Sequence, residues 1–203
     1  MREGPPLRRA FFVDGTMDDD LDDLIRRVDP DRWLSSRFIA APALRADVVA
    51  IYAYDHELAR APKVASNPLL GEIRLTWWRE VLDEAYEGRP VRKHPTAQAL
   101  SAAIARHSLP RAPLEAMIDA RYRELDPHPM DPQEIDEWAR GSAGQAAAVA
   151  AAMLDPASHP GAAVLGGRAW ALGRRERHAT QDLQAASAAA HAQARRAARA
   201  LSA

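Results

Sequence analysis

The chain has 203 residues, a formal net charge of −1 with 27% charged residues, and no cysteine. That length suits one domain with a real core, and the charge balance gives no bulk attraction to nucleic acid or to an anionic membrane. The absence of thiols excludes disulfides, zinc ribbons, iron–sulfur clusters and cysteine catalysis, and it fits a reducing, cytoplasmic compartment.

The N-terminus, "MREGPPLRRAFFVDGTMDDD", holds only the short apolar patch "AFFV". A signal-peptide core needs more. Residues 1–16 read as a loose leader and 17–203 as the domain. No run of about 18 apolar residues exists, so the sequence predicts no transmembrane segment.

From there the signals are helical. Asp18–Arg27, "DDDLDDLIRR", places acids first and arginines last, as the helix dipole favours. "DPDRW" reads as a turn. From Ala43, residues Leu44, Val48, Ile51 and Tyr52 form one stripe at helical spacing, and Pro62 is expected to end the helix. Ser66-Asn67-Pro68 is a cap for the next helix, and Gly88 stops it. Leu70, Ile73, Trp77 and Val81 share a face, which predicts that Trp77 is buried more deeply than Trp78. The short "PKVASN" connection predicts that helices 43–61 and 68–88 lie antiparallel and adjacent. Further helices are expected near 95–107, 111–125, 132–154, 158–174 and 181–201. No stretch alternates with period two for long enough to make a strand. The fold class is therefore all-α. Residues 141–154, "GSAGQAAAVAAAML", are small all round and suit a central helix with close neighbours.

Acid pairs at i and i+4, among them Asp18/Asp22, Asp19/Asp23 and Glu115/Asp119, lie on single helix faces. Such pairs can share a divalent cation, but acids also favour the first turn of a helix for the dipole alone. The seven histidines show no i, i+4 pair, and no "HExxH", "GxSxG", phosphate-loop or dinucleotide motif is present. Trp77-Trp78 between Arg74 and Arg79 reads either as a stacking platform or as one core and one rim tryptophan.

On "DRWLSSRFIAAPALRADVVAIYAYDHELAR" and "WWREVLDEAYEG" the chain resembles the squalene/phytoene synthase family. The family's "P–x–x–x–A–L" and "A–G" helices are matched by His94–Ala120 and Trp138–Leu154, and the resemblance covers roughly residues 28–172. It implies an isoprenoid-synthase type helical bundle, shortened at its C-terminus. Family enzymes condense two prenyl diphosphates, with two aspartate-rich motifs holding Mg²⁺ against the diphosphate. Only clustered cations stabilise that leaving group in an apolar cavity.

The first motif should fall on Ala59, Arg60 and Lys63, where no acid remains and two cations stand instead. Those cations would repel Mg²⁺. The second motif leaves Asp182 but no acid pair. Tyr52, Asp55, Glu57, Arg74, Trp78, Asp119 and Glu124 are the candidate pocket positions that the resemblance implies.

"YAYDHELARAPKVASNPLLGEIRLTWWREVL" is most similar to a noncatalytic branch of the family, which includes the mitochondrial assembly factor for respiratory complex I and alphaproteobacterial relatives. This resemblance implies a pseudoenzyme with no cofactor. It would bind complex I subunits or a prenyl lipid and make peripheral contact with the inner membrane. The alternative is an Mg²⁺-dependent prenyl transferase with rearranged ligands such as Asp55, Glu57, Asp119 and Glu124.

Overall fold

The computed structural model describes residues 15–63, 67–176 and 181–201, and among them there are helices and turns but no strand. Residues 1–14, most of the stretch read as a leader, lie outside the described residues.

In chain order the helices are α1 Gly15–Val28, α2 Pro30–Ser36, α3 Pro42–Lys63, α4 Pro68–Tyr86, α5 Pro95–His107, α6 Arg111–Tyr122, α7 Pro132–Ala139, α8 Gln145–Leu154, α9 Pro160–Glu176 and α10 Gln181–Leu201. A 3-10 turn, Arg123–Leu125, extends α6, and a π-turn, Arg140–Gly144, joins α7 to α8. Proline stands at or near the start of α2, α4, α5 and α7, where its missing N–H leaves no bond unmade. Gly88, at φ 69°, turns the chain out of α4.

Two expectations are corrected. "DPDRW" is not a turn: it opens α2, whose first N–H groups are capped by the Asp29 side chain (Arg32 N to Oδ1, 3.2 Å). The buried face of α4 is not the Leu70–Ile73–Trp77 stripe. Leu70 and Ile73 are 40% and 55% exposed, whereas Gly71, Leu75, Trp78, Val81 and Leu82 are buried, and Trp78, at 4%, lies deeper than Trp77. Gly71 lies on this buried face: a Cβ there would meet a Leu125 methyl and stand 3.6 Å, an ordinary contact, from the Ala61 carbonyl of α3.

The pair α3/α4 is antiparallel. The start of α4 meets the end of α3 at Gly71/Ala61, and Tyr54 lies edge-on to Trp78 with ring centroids 5.3 Å apart. Around α3 the main core gathers Ile51, Leu58, Leu75, Leu82, Leu100, Met117 and Ile118 with Ala146, Val149 and Met153 of α8. The Tyr54 hydroxyl is buried there and donates to the Leu114 carbonyl at 3.1 Å. The helix of small residues is central, as expected: α8 packs against α3, α6 and α9.

A second cluster joins Ile135, Ala139 and Ala143 to Leu172 of α9 and Ala190 of α10, and a third packs Leu21 and Ile25 of α1 on Val49 and Ala53. At Gly167 the backbone of α9 comes so close to the Ala143 carbonyl that no side chain fits.

Candidate functional site

Helix α3 is buried on most of its circumference, and two acids, Asp47 and Asp55, lie among its buried apolar residues. Asp55 is 4% exposed and sits between Tyr54 and Leu58. On α6, Arg121 continues the buried row Leu114, Met117 and Ile118. A charge on an apolar face requires a partner. Asp55 is that partner, accepting from Arg121 at 2.6 Å and from Arg32 of α2 at 2.7 Å. Arg121 also donates to Glu124 at 2.6 Å, and the Trp138 indole donates to the same carboxylate at 2.7 Å.

Burial by itself would raise the Asp55 pKa. The fields and hydrogen bonds of Arg121 and Arg32 outweigh it and hold the carboxyl down at about 2. Asp29, by contrast, is pushed up by burial in spite of Arg32 and Arg174.

This network floors a cavity of about 760 Å³ between α2, α3, α6, the π-turn and α9. Its walls mix cations and aromatic rings. The Arg32 guanidinium lies 3.8 Å from the Trp170 ring centroid, with Arg174 5.0 Å from the same ring. Arg175 lies 5.4 Å from the Trp138 ring. His56 also faces the cavity. Burial lowers its pKa from the ordinary histidine range.

Of the candidate positions, Tyr52, Asp55 and Glu124 line this cavity, together with Ala59, Arg60 and Lys63. Glu57, Arg74 and Trp78 instead line a smaller cavity of about 270 Å³, with Arg60, Trp77 and His94. Asp119 lines neither: it is exposed and paired with Arg79. The Glu115/Asp119 pair is therefore divided, because Glu115 is held by Arg111 at 2.8 Å. Asp22 is bound to Arg37 and to the Trp33 indole, while the side chains of Asp18, Asp19 and Asp182 lie outside the described residues.

Sequence reasoning missed Arg32, Trp170, Arg174 and Arg175. One signal was available: Arg121 and Asp55 are opposite charges on two apolar stripes, which calls for a buried pair.

An Mg²⁺ cluster does not fit these residues. Among the described residues no group of three or more His, Asp or Glu side chains is placed to hold a metal ion. Each Asp55 oxygen already accepts a guanidinium N–H, and the neighbouring positions present Arg60 and Lys63 to the cavity. A divalent cation needs several free carboxylate oxygens converging from more than one helix.

Comparison with known proteins gives concordant results. NADH dehydrogenase (ubiquinone) complex I, assembly factor 6 from Bos taurus is 29% identical over 121 residues, which is 59% of this chain and 36% of that protein. The Homo sapiens protein of the same name is 30% identical over 104 residues, 51% of this chain and 31% of that protein. The matched stretch thus spans about a third of the length of these relatives. The crystal structure of a dehydrosqualene synthase in complex with ligand superposes with a TM-score of 0.70 at 16% identity, covering 89% of this chain and 74% of that one. That likeness establishes the helical isoprenoid-synthase fold. The family model described as Squalene/phytoene synthase matches residues 25–201, nearly the whole of the described chain. The chain belongs to the squalene/phytoene synthase family.

Proposed function

We propose that this chain is a noncatalytic, assembly-type member of its family that works on the biogenesis of a respiratory NADH dehydrogenase, with subunits of that complex as its partners. One observation carries the reading. Ala59, Arg60 and Lys63 stand at the cavity wall where the resemblance puts the first aspartate motif, and the one buried acid beside them, Asp55, is neutralised by two guanidiniums. A prenyl diphosphate leaving group requires metal there, and these residues supply no ligands for it. The names of the relatives support the same reading from an independent direction.

No helix among the described residues is long and apolar enough to cross a membrane. The competing reading is a prenyl transferase.

The test is incubation with farnesyl and geranylgeranyl diphosphates plus Mg²⁺, following diphosphate release against a chelated control. We expect no release above the control. Turnover that disappears on chelation would put the transferase first. Affinity purification of the chain from its own cells, with identification of what accompanies it, tests the partner: a respiratory subunit is expected, and a prenyl lipid alone would refute it.

A further inference from the structure

The sequence sets Leu70, Ile73 and Trp77 on one apolar stripe of α4, and the fold leaves Leu70 and Ile73 outside. Six large apolar side chains are exposed among the described residues, and three of them, Leu69, Leu70 and Ile73, fall within one and a half turns of this helix. Exposed apolar residues scattered singly call for no explanation, whereas a cluster on one helix face marks a surface that meets something.

The stripe runs into the smaller cavity. There Trp77, Trp78 and His94 meet edge to face, with ring centroids 4.8, 5.4 and 5.5 Å apart, beside Glu57, Arg60 and Arg74. Small-molecule pockets usually enclose about 300–1,000 Å³. This one, at about 270 Å³, suits a single side chain inserted from outside, as the anchor of an interface is. His94 opens α5 without capping it, and among the described residues its buried Nδ1 has no hydrogen-bond partner. A buried polar atom left unpaired is costly, so an incoming group that bonds to it is favoured. A hydroxyl donates or accepts and answers either tautomer of the ring, while an indole N–H answers only one. Charge sets the rest. Glu57 is held by Arg60 at 3.1 Å, but Arg74 is exposed and has no carboxylate partner among the described residues.

We infer that the face of α4 carrying Leu70, Ile73 and Trp77 docks an amphipathic segment of a protein partner. That segment seats a tyrosine among Trp77, Trp78 and His94, with its hydroxyl on His94 Nδ1, and sets an acidic side chain against Arg74. The inference rests on the reading of this chain as a partner-binding protein, and it adds where the partner is held and by what chemistry. A lipid surface fits less well. An acyl chain offers His94 no hydrogen bond, and Glu72, exposed beside Ile73, repels anionic headgroups.

The experiment puts the photo-cross-linker benzoylphenylalanine in place of Ile73 in the full chain, in its own cells. A control carries it in place of Arg89, past the far end of α4. Mass spectrometry maps the cross-linked peptide. Expected is one partner segment with a tyrosine and an Asp or Glu within a helical turn of it. Arg74→Glu should lower the yield by at least about tenfold, and Arg89→Glu should leave it unchanged. A synthetic copy of the mapped segment, titrated by calorimetry, should lose about two- to tenfold in affinity when its tyrosine becomes phenylalanine.

A cross-link to lipid, to a second copy of this chain, or to a segment lacking the tyrosine or the acid would overturn the proposal. So would labelling at Ile73 no stronger than at Arg89, or equal affinity of the tyrosine and phenylalanine peptides. The two readings fail separately. A segment of this chemistry from a protein outside the respiratory complex supports the docking face and refutes the assembly reading. A respiratory subunit that co-purifies without cross-linking at Ile73 does the reverse.

Discussion

Replacing Asp55 by Asn tests the cavity floor. The substitution keeps the shape of the side chain but removes the charge shared by Arg32 and Arg121. Two estimates bound the loss. The folded pKa of about 2 against an ordinary 3.8 corresponds to roughly 2–3 kcal/mol at pH 7. That figure counts only the ionised against the protonated acid. Asn also leaves Arg121, 5% exposed, with Glu124 as its one carboxylate, and breaking a buried pair from one side costs about 3–5 kcal/mol. We therefore expect a loss of about 3–5 kcal/mol, measured by urea unfolding followed through tryptophan fluorescence, with the midpoint falling and the slope unchanged.

The sign of the pH dependence follows. Because folding depresses this pKa, its stabilisation is fully present above about pH 4 and is lost as pH falls through about 2, so wild type and Asp55→Asn should converge in acid. A loss below about 1 kcal/mol at pH 7 would show that water, not the carboxylate, solvates the two guanidiniums.

Two further outcomes follow from packing. Trp78→Ala should cost about 3–5 kcal/mol by denaturant unfolding, and Trp77→Ala clearly less, because Trp78 fills the interface with Tyr54 while Trp77 is only partly buried; equal costs would refute the assignment of the face. Gly167→Ala should lower the thermal midpoint, with a cost of about 1–3 kcal/mol, since its Cβ would strike the Ala143 carbonyl; an unchanged midpoint would mean that α9 shifts freely off the π-turn.

Helix positions were legible because proline and glycine punctuate them, and they act locally. The break between 88 and 95 and the starts at Pro68, Pro95 and Pro132 needed no tertiary information. The face of α4 was not legible, because large apolar residues occur on both sides of it: Leu70 and Ile73 on one, Leu75 and Leu82 on the other. The choice is made by packing against α3, where Trp78 meets Tyr54, and hydrophobic periodicity carries no information about that partner. The short helix α2 was missed for a related reason: "DP" is a turn signal and also a cap with proline at N1.

For the site, the positions Ala59, Arg60 and Lys63 came from resemblance. The ionic floor beneath them closes across sequence separations of 23 and 66 residues, so it becomes visible only when α2, α3 and α6 are assembled. Arg174 and Arg175 carried no signal of their own. Two arginines in the last turn of α9 read as partners of the dipole until the cavity is seen beside them.

The π-turn at Arg140–Gly144 sets the phase of the rod that contains it. In an uninterrupted α-helix, residues 135, 139, 143, 146, 150 and 153 would fall on one stripe and could face one neighbour. One extra residue in a turn rotates everything beyond it by about 100°. Ile135, Ala139 and Ala143 accordingly look toward α9 and α10, while Ala146, Ala150 and Met153 look toward α3 and α6. The rod works like a crankshaft with a quarter-turn between its throws. Removing a single residue from the turn would bring the throws back into line and force α7 and α8 to compete for one side of the bundle.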